Sequence, residues 1–529
     1  MQSRRLRHLV VLALAALLTV AATGCESAVA RQAAPATSLA PGEPAPRGGT
    51  LRVGVLGDLQ PKTLLQIGTS PANGQLLANV FDTLVTYDRD DLTPQPALAT
   101  SWELAPDGRS LTLQLRRDVR FHDGRPFVSA DVESSIRAYL DDSWNPQFKR
   151  TAAAVTGFDT SDPHTVVLRF EHPLSNVFDL LSVAPIIDGN SLPQLQAGTE
   201  FNGTGPFRFS GWRPKSQVQL VRNDAYWGGP PPLDGVDLVV VSDEQSAYSR
   251  LRTGQLDVAT SLSYHDQELA TSRYGFTDVT FTGAEGATYV GVNLTNPALS
   301  DVRVRKAIAL AIDRDRIITD VYRGSGYVSN LPWPQSSPAF EPRGTSTYGR
   351  DLDRARKLLA EHGPVPELTI DYSTSGTYGI VAEIVQSNLA DIGLDVKLVP
   401  NDYTQQTGKL IAGSFDGLWV LEHGFAQFTP STLAVSAYPF NAAKNSSNYS
   451  NQRYSDAATA AWVAPTPTSA TATAAYRELN DRYLADLFLI EIGVTIPKIA
   501  AAPSVGAITW DKISRLHLAK TYLTSNRND

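Results

Sequence analysis

One cysteine in 529 residues is the scarcity that excludes most. A single cysteine closes no internal disulfide and rules out a CxxC metal or redox site. Basic residues are not in excess either: 46 Lys and Arg face 54 Asp and Glu, for a formal net charge of −8. That balance argues against nucleic-acid binding, which needs a basic face. Catalytic signatures are missing in turn. No P-loop, no G-x-S-x-G nucleophile elbow and no HExxH occurs, and Gly203-x-Gly205 lacks the third glycine of a dinucleotide fingerprint. The eight histidines never stand at metal-ligand spacing in the sequence. His122 lies beside Asp123, but adjacent residues in a turn point apart, so the pair reads as structural. The chain thus reads as a protein with no cofactor, not an enzyme; a catalytic group assembled from distant segments stays open as the alternative.

Long apolar runs are equally scarce. The run Leu9 to Ala22 is too short for a comfortable membrane span, and Arg4, Arg5 and Arg7 precede it as a positive n-region. Ala22-Thr23-Gly24-Cys25 follows and resembles a bacterial lipobox, cleaved before the cysteine that receives the lipid. Residues 1–24 are therefore expected to be a signal peptide and Cys25 the lipidation site, placing the protein on the outer face of the bacterial cell membrane. Residues 25–47 are rich in Ala, Pro and Ser without apolar periodicity and read as a disordered tether.

What is present is organised around Asn202 to Gly229, NGTGPFRFSGWRPKSQVQLVRNDAYWGG. Gly203, Gly205 and Pro206 make a tight turn. Phe207, Phe209 and Gly211, then Val218, Leu220 and Arg222, alternate as two strands about a Pro-Lys-Ser turn, and the hairpin closes on Tyr226 and Trp227. Before it, Leu51, Val53 and Val55 alternate as a first strand. Pro96 to Val132 carries an Asp107-Gly108 hairpin signal and a helix expected to be capped by Ser129. After it come a strand over 236–241, a helix over 244–251 and a helix capped by Asp301. Asp351 to Gly363 is a further helix. Leu368–Tyr372, Ile380–Leu389 and Val396–Val399 form a β-α-β unit, which implies a parallel sheet with a right-handed crossover. Ala464 to Ala475 reads as a surface loop before a helix from Tyr476 to Phe488.

The GTGP turn, the tryptophan strand and the Arg222-Asn223-x-x-Tyr226-Trp227 end resemble the signature of family 5 of the extracytoplasmic solute-binding proteins of ABC importers, the peptide/nickel-binding family. Gly48-Gly49-Thr50-Leu51-x-Val53, the block Pro96 to Val132 and the phrase Leu251-x-x-Gly254-x-Leu256-Asp257 carry the same resemblance. It implies an α/β, two-lobed periplasmic-binding-protein-like fold (class II, cluster C type) with an extra small domain. Lobe I would combine 48–80, 183–288 and 489–529, the small domain 81–182 would attach to it, and lobe II would be 289–488, with hinge crossings near Ala287-Thr288 and Ile490. A solute held between the lobes, ABC importer permease subunits as partners and a monomeric state are further implications.

Two stretches depart from the family pattern. Leu59-Gln60-Pro61 stands where the family has Leu-Asp-Pro. Trp419 to Thr432, WVLEHGFAQFTPST, lacks the aspartate that in peptide binders of the family pairs with the ligand's ammonium. Glu422 is the replacement close at hand; Trp419, Phe425 and Phe428 offer flat apolar walls, and His423 a ligand for a metal chelate. With Thr69 and Ser70 these are the candidate ligand-binding residues. The ligand expected is a peptide or peptide-like solute. An oligosaccharide or a metal chelate on the same fold is the alternative, and a lipid-anchored surface hydrolase the alternative of a different class.

Overall fold

A computed structural model describes residues 43–88, 91–144 and 146–524. The leader, Cys25 and most of the tether lie outside the described residues. Among the described residues no helix is long and apolar enough to cross a membrane.

Two large sheets carry the fold. The first has seven strands in the order Thr277–Thr280, Lys498–Ala501, Val258–Ala259, Thr50–Leu56, Gly235–Val241, Gln217–Arg222, Phe207–Arg213. Its centre is the parallel pair Thr50–Leu56 and Gly235–Val241, in register from Thr50↔Gly235 to Leu56↔Val241. Leu51, Val53 and Val55, the alternating positions of the sequence, are fully buried, as are Val236 and Leu238 beside them. The organising hairpin forms one edge, Phe207–Arg213 antiparallel to Gln217–Arg222.

The glycines of the GTGP turn have a specific use. A Cβ on Gly203 would lie 1.9 Å from the Val80 carbonyl oxygen, and one on Gly205 2.6 Å from the Val80 carbonyl carbon. Without side chains the turn can close on the end of helix Pro71–Val80, where Gly205 N–H donates to the Val80 carbonyl at 2.9 Å. The far end of the hairpin then reaches Asp82. Its carboxylate accepts from Trp227 Nε1 at 2.9 Å, Thr204 Oγ1 at 2.9 Å and Tyr226 Oη at 3.0 Å. Burial pushes this carboxyl above its ordinary range, and the three donors pull it back. His122 is structural too, its Nε2 set 3.0 Å from the Gly205 carbonyl, and burial pushes its imidazole down to about 4.

The second sheet has six strands in the order Gly326–Val328, Leu489–Thr495, Gly286–Val292, Leu418–His423, Leu368–Ser373, Val396–Asn401. Leu368–Ser373 and Val396–Asn401 are parallel and joined through helix Tyr378–Ala390, the expected β-α-β unit. A third, four-stranded antiparallel sheet orders Ala99–Leu104, Ser110–Leu115, Thr165–Phe170, Val155–Asp162. The molecule is an α/β, two-lobed periplasmic-binding-protein fold, each large sheet the core of one lobe. The chain passes between the large sheets at 281–285 and at 496–497, a few residues from the crossings expected at Ala287-Thr288 and Ile490. The displacement has a plain cause: Gly286–Val292 and Leu489–Thr495 pair along their whole lengths inside the second sheet.

Two local expectations change. Ser129 is the first helical residue, not the cap; Asp131 Oδ2 accepts the Val128 N–H at 2.8 Å, and Ser129 Oγ donates to the Asp162 carbonyl at 2.7 Å. The helix expected from Tyr476 runs over Ala470–Asp486, because Ser469 caps it and the Ala/Thr stretch contains no breaker.

Candidate ligand cleft

Strand Leu418–His423 lies between Gly286–Val292 and Leu368–Ser373, at the middle of the second sheet. Side chains alternate across it, so Trp419 and His423 share one face and Glu422 takes the other. Glu422 faces the crossings between lobes. Its Oε2 accepts from Thr495 Oγ1 at 3.1 Å and Thr288 Oγ1 at 3.4 Å, residues of the two strands that enter and leave the lobe. Its Oε1 has no hydrogen-bond partner among the described residues, and it occupies space over Gly286 that a Cβ there would fill at 2.2 Å. Burial pushes the Glu422 carboxyl above the ordinary glutamate range, and Thr495, His423 and Thr288 only partly offset this.

Three tyrosines gather about this carboxylate. Tyr322 Oη is 2.8 Å from Thr288 Oγ1, and its ring meets that of Tyr264, from lobe I, edge to face at 5.1 Å between centroids. Tyr378 opens helix Tyr378–Ala390. Burial first, and the nearby Glu422 charge second, push the Tyr264 and Tyr378 hydroxyls well above the usual tyrosine range. An anion set among neutral hydroxyls, with one oxygen unengaged, is suited to receive a cationic group.

The lobes also meet away from Glu422. Gln66 Nε2 donates to Tyr438 Oη at 2.9 Å, and Tyr403 Oη donates to the Gly68 carbonyl. Gln147 of the small domain holds the same loop through both backbone groups of Ile67, at 3.0 and 2.8 Å. Thr69 lies on this loop, where its Oγ1 donates to the Gln66 carbonyl at 3.1 Å. Ser70 is buried and acts as a helix cap, accepting from Asn73 N–H at 3.3 Å and donating to the Asp58 carbonyl at 2.7 Å.

The aromatic candidates are placed otherwise than expected. Trp419 is fully buried behind the sheet, stacked on Phe415 at 4.4 Å and seated on Gly291, where a Cβ would fall 2.0 Å from the indole. It cannot form a wall of the cleft. His423 is turned the same way, against Phe440 at 4.5 Å, with Nε2 3.8 Å from Glu491 Oε1. Strand alternation therefore removes it as a chelate ligand beside Glu422. Phe425 and Phe428 are buried and pack on Phe148 of the small domain, at 6.0 and 5.8 Å between centroids. Among the described residues no group of three or more His, Cys, Asp or Glu is placed to hold a metal ion. Thr288, Thr495, Tyr264, Tyr322 and Tyr378 are the residues of this candidate site that sequence reasoning missed; each sits in an ordinary strand or helix, and no local motif marks it.

Comparison with known proteins agrees with this architecture. A Brucella ovis protein described as an ABC transporter peptide-binding protein is 28% identical over 339 residues, which cover 60% of this chain and 63% of that protein. The fold matches the periplasmic binding protein DppA from Helicobacter pylori in complex with peptide STSA, with a TM-score of 0.79, 22% identity and coverage of 91% and 99% of the two chains. It also matches NikA from Brucella suis in complex with Fe(III)-EDTA, at a TM-score of 0.77, 22% identity and coverage of 90% and 100%. Residues 93–477, more than half of the chain, match the family model for bacterial extracellular solute-binding proteins, family 5, and the protein belongs to that family.

Proposed function

We propose that the protein captures a peptide or peptide-like solute between its lobes, with a ligand ammonium placed on Glu422. The observation that carries this reading is the unengaged Oε1 of a carboxylate set at the junction of the lobes, over Gly286. Both hydroxyl donors of this half-buried carboxylate reach Oε2, which leaves Oε1 for a cationic partner, and an ammonium supplies one. The names of the relatives, a peptide-binding protein and a peptide complex, favour the same class. A chelate built on carboxylates would meet Glu422 as a like charge. With the crossings as its bounds, lobe I combines 48–80, 183–280 and 498–524, the small domain is 81–182, and lobe II is 286–495. The solute contacts both lobes and stabilises the closed form by its differential affinity. The protein acts as a monomer by binding, without turnover, is held on the outer membrane face by lipid on Cys25, and delivers its solute to an ABC importer permease.

The test is calorimetry with the tetrapeptide STSA, free and N-acetylated, on the native chain and on Glu422→Gln. Acetylation should weaken binding to the native protein at least tenfold, about 1.4 kcal/mol, and affect the variant little. Equal binding of both forms by both proteins would refute the ammonium contact.

A further inference from the structure

We infer that Asp179 is a positioning residue of the small domain that docks the segment Phe425–Thr432 and thereby holds lobe II closed even without solute. Asp179, on the short helix Val177–Val183, is fully buried. Its carboxylate accepts from Tyr87 Oη at 2.6 Å within its own domain. From lobe II it accepts Thr429 N–H at 3.0 Å, Thr429 Oγ1 at 3.1 Å and Thr432 Oγ1. Three of the four donors thus come from across the domain boundary.

The residues around it extend the same contact. Ser175 Oγ lies 2.8 Å from Ser431 Oγ and donates to the Ala461 carbonyl at 2.8 Å, while Ser175 N–H donates to the Trp462 carbonyl at 2.9 Å. Asn176 Nδ2 donates to Thr432 Oγ1 at 2.9 Å, and its Oδ1 accepts from Trp462 Nε1 at 3.0 Å. Ser175, Asn176, Thr429, Ser431 and Thr432 are all buried. A buried polar network of this kind is favourable only while every member is paired. Partial separation strands a carboxylate and several donors at once, so the face stays docked or opens to water as a unit.

The docked segment is continuous with the site. Strand Leu418–His423 carries Glu422 and leads through the turn Phe425–Gln427 into helix Pro430–Ser436. Gln427 Nε2 donates to the Glu285 carbonyl, at the crossing beside Gly286. Asp179 makes no hydrogen bond to Glu422 or to the tyrosines around it; it fixes the far end of the segment on which Glu422 stands. The inference rests on the two-lobed solute-binding reading, but its test needs no solute, so it can fail while that reading stands.

The test is a distance measurement by pulsed electron resonance on the chain with Cys25→Ser and spin labels at Arg109→Cys and Glu383→Cys, exposed positions of the small domain and of lobe II. Without solute, the native network should give one narrow distance distribution. Asp179→Ala should add a longer-distance population, severalfold above any in the parent, with the circular dichroism of a folded protein unchanged. Thr432→Val, which keeps the shape and removes one donor, should shift the distribution the same way by less, and it decides the matter if Asp179→Ala does not fold. An unchanged distribution in the variants that fold would overturn the inference and leave Asp179 a residue of fold stability alone.

Discussion

Gly286 makes room for Glu422: a methyl group on this glycine would stand 2.2 Å from the carboxylate Oε1. Glu422 stands opposite Thr288 on the neighbouring antiparallel strand and reaches diagonally over Gly286, two residues along the same face, and Thr495, the register partner of Gly286, donates to the other oxygen of the same carboxylate. The absence of a side chain on one strand therefore sets where a charge sits on the next.

Gly286→Ala should accordingly displace the Glu422 carboxylate while leaving the strand intact, since Gly286 is not among the glycines with positive φ. A strand position that alanine can adopt is changed by about 1 kcal/mol or less in stability. STSA affinity should nonetheless fall at least tenfold, about 1.4 kcal/mol. Thermal unfolding and calorimetry on the one variant separate the two effects; undiminished affinity would mean that Oε1 is not the contact.

The elements were more legible in the sequence than the site was. Alternation revealed the hairpin Phe207–Arg222 and the strand from Leu51, and the change of period revealed the β-α-β unit, because these depend on neighbours in the chain. The same alternation separates Glu422 from Trp419 and His423, but it does not tell which face meets the cleft. That is decided by Phe415 and Phe440, which cover the rear face, and by Thr288, Thr495 and Tyr322, which meet Glu422 from distant segments. Aromatic residues in a departing stretch suggested ligand walls. Trp419 fills the lobe core instead, and Phe425 and Phe428 join lobe II to the small domain.

Membrane attachment is tested by Cys25→Ser. If Cys25 carries the lipid, the variant should lose modification at its mature N-terminus and appear in the soluble fraction. A single acyl chain gives only marginal attachment, about 10⁴ M⁻¹, so stable anchoring needs at least two. A variant that remains fully with the membrane would exclude lipidation at this residue as the anchor.

Asp179 should give the native protein a distinctive pH dependence of stability. Burial pushes its carboxyl up to about 6, against hydrogen bonds from Thr432, Tyr87 and Thr429 that pull it down. In the unfolded chain the group returns to the usual aspartate value near ~3.9. A folded value above the unfolded one means that the folded state holds the proton more tightly, so the contribution is complete below about 4 and is lost as pH rises through about 6. Compared with Asp179→Asn, which carries no titrating group there, the native protein should lose stability between pH 4 and 7, by ~3 kcal/mol at most. Paired melting curves across that range measure the difference directly; a constant difference would show that the carboxylate stays ionised in the fold.

Glu422 should link solute capture to proton release. Its carboxyl is held above the ordinary glutamate range by burial, so the solute-free protein keeps this proton to a higher pH than an exposed glutamate does. An ammonium placed on Oε1 favours the ionised form and lowers that value. Binding of free STSA while the carboxyl is partly protonated must then expel protons, and affinity must fall as pH falls, because protonation removes the charge that the ammonium meets. Calorimetry in buffers of different ionisation enthalpy reads the number of protons released. The number should be positive where the solute-free carboxyl is partly protonated, decline toward zero as pH rises above that range, and vanish throughout in Glu422→Gln. Proton release that persists unchanged in Glu422→Gln would assign it to another group and remove Glu422 as the site of the charge.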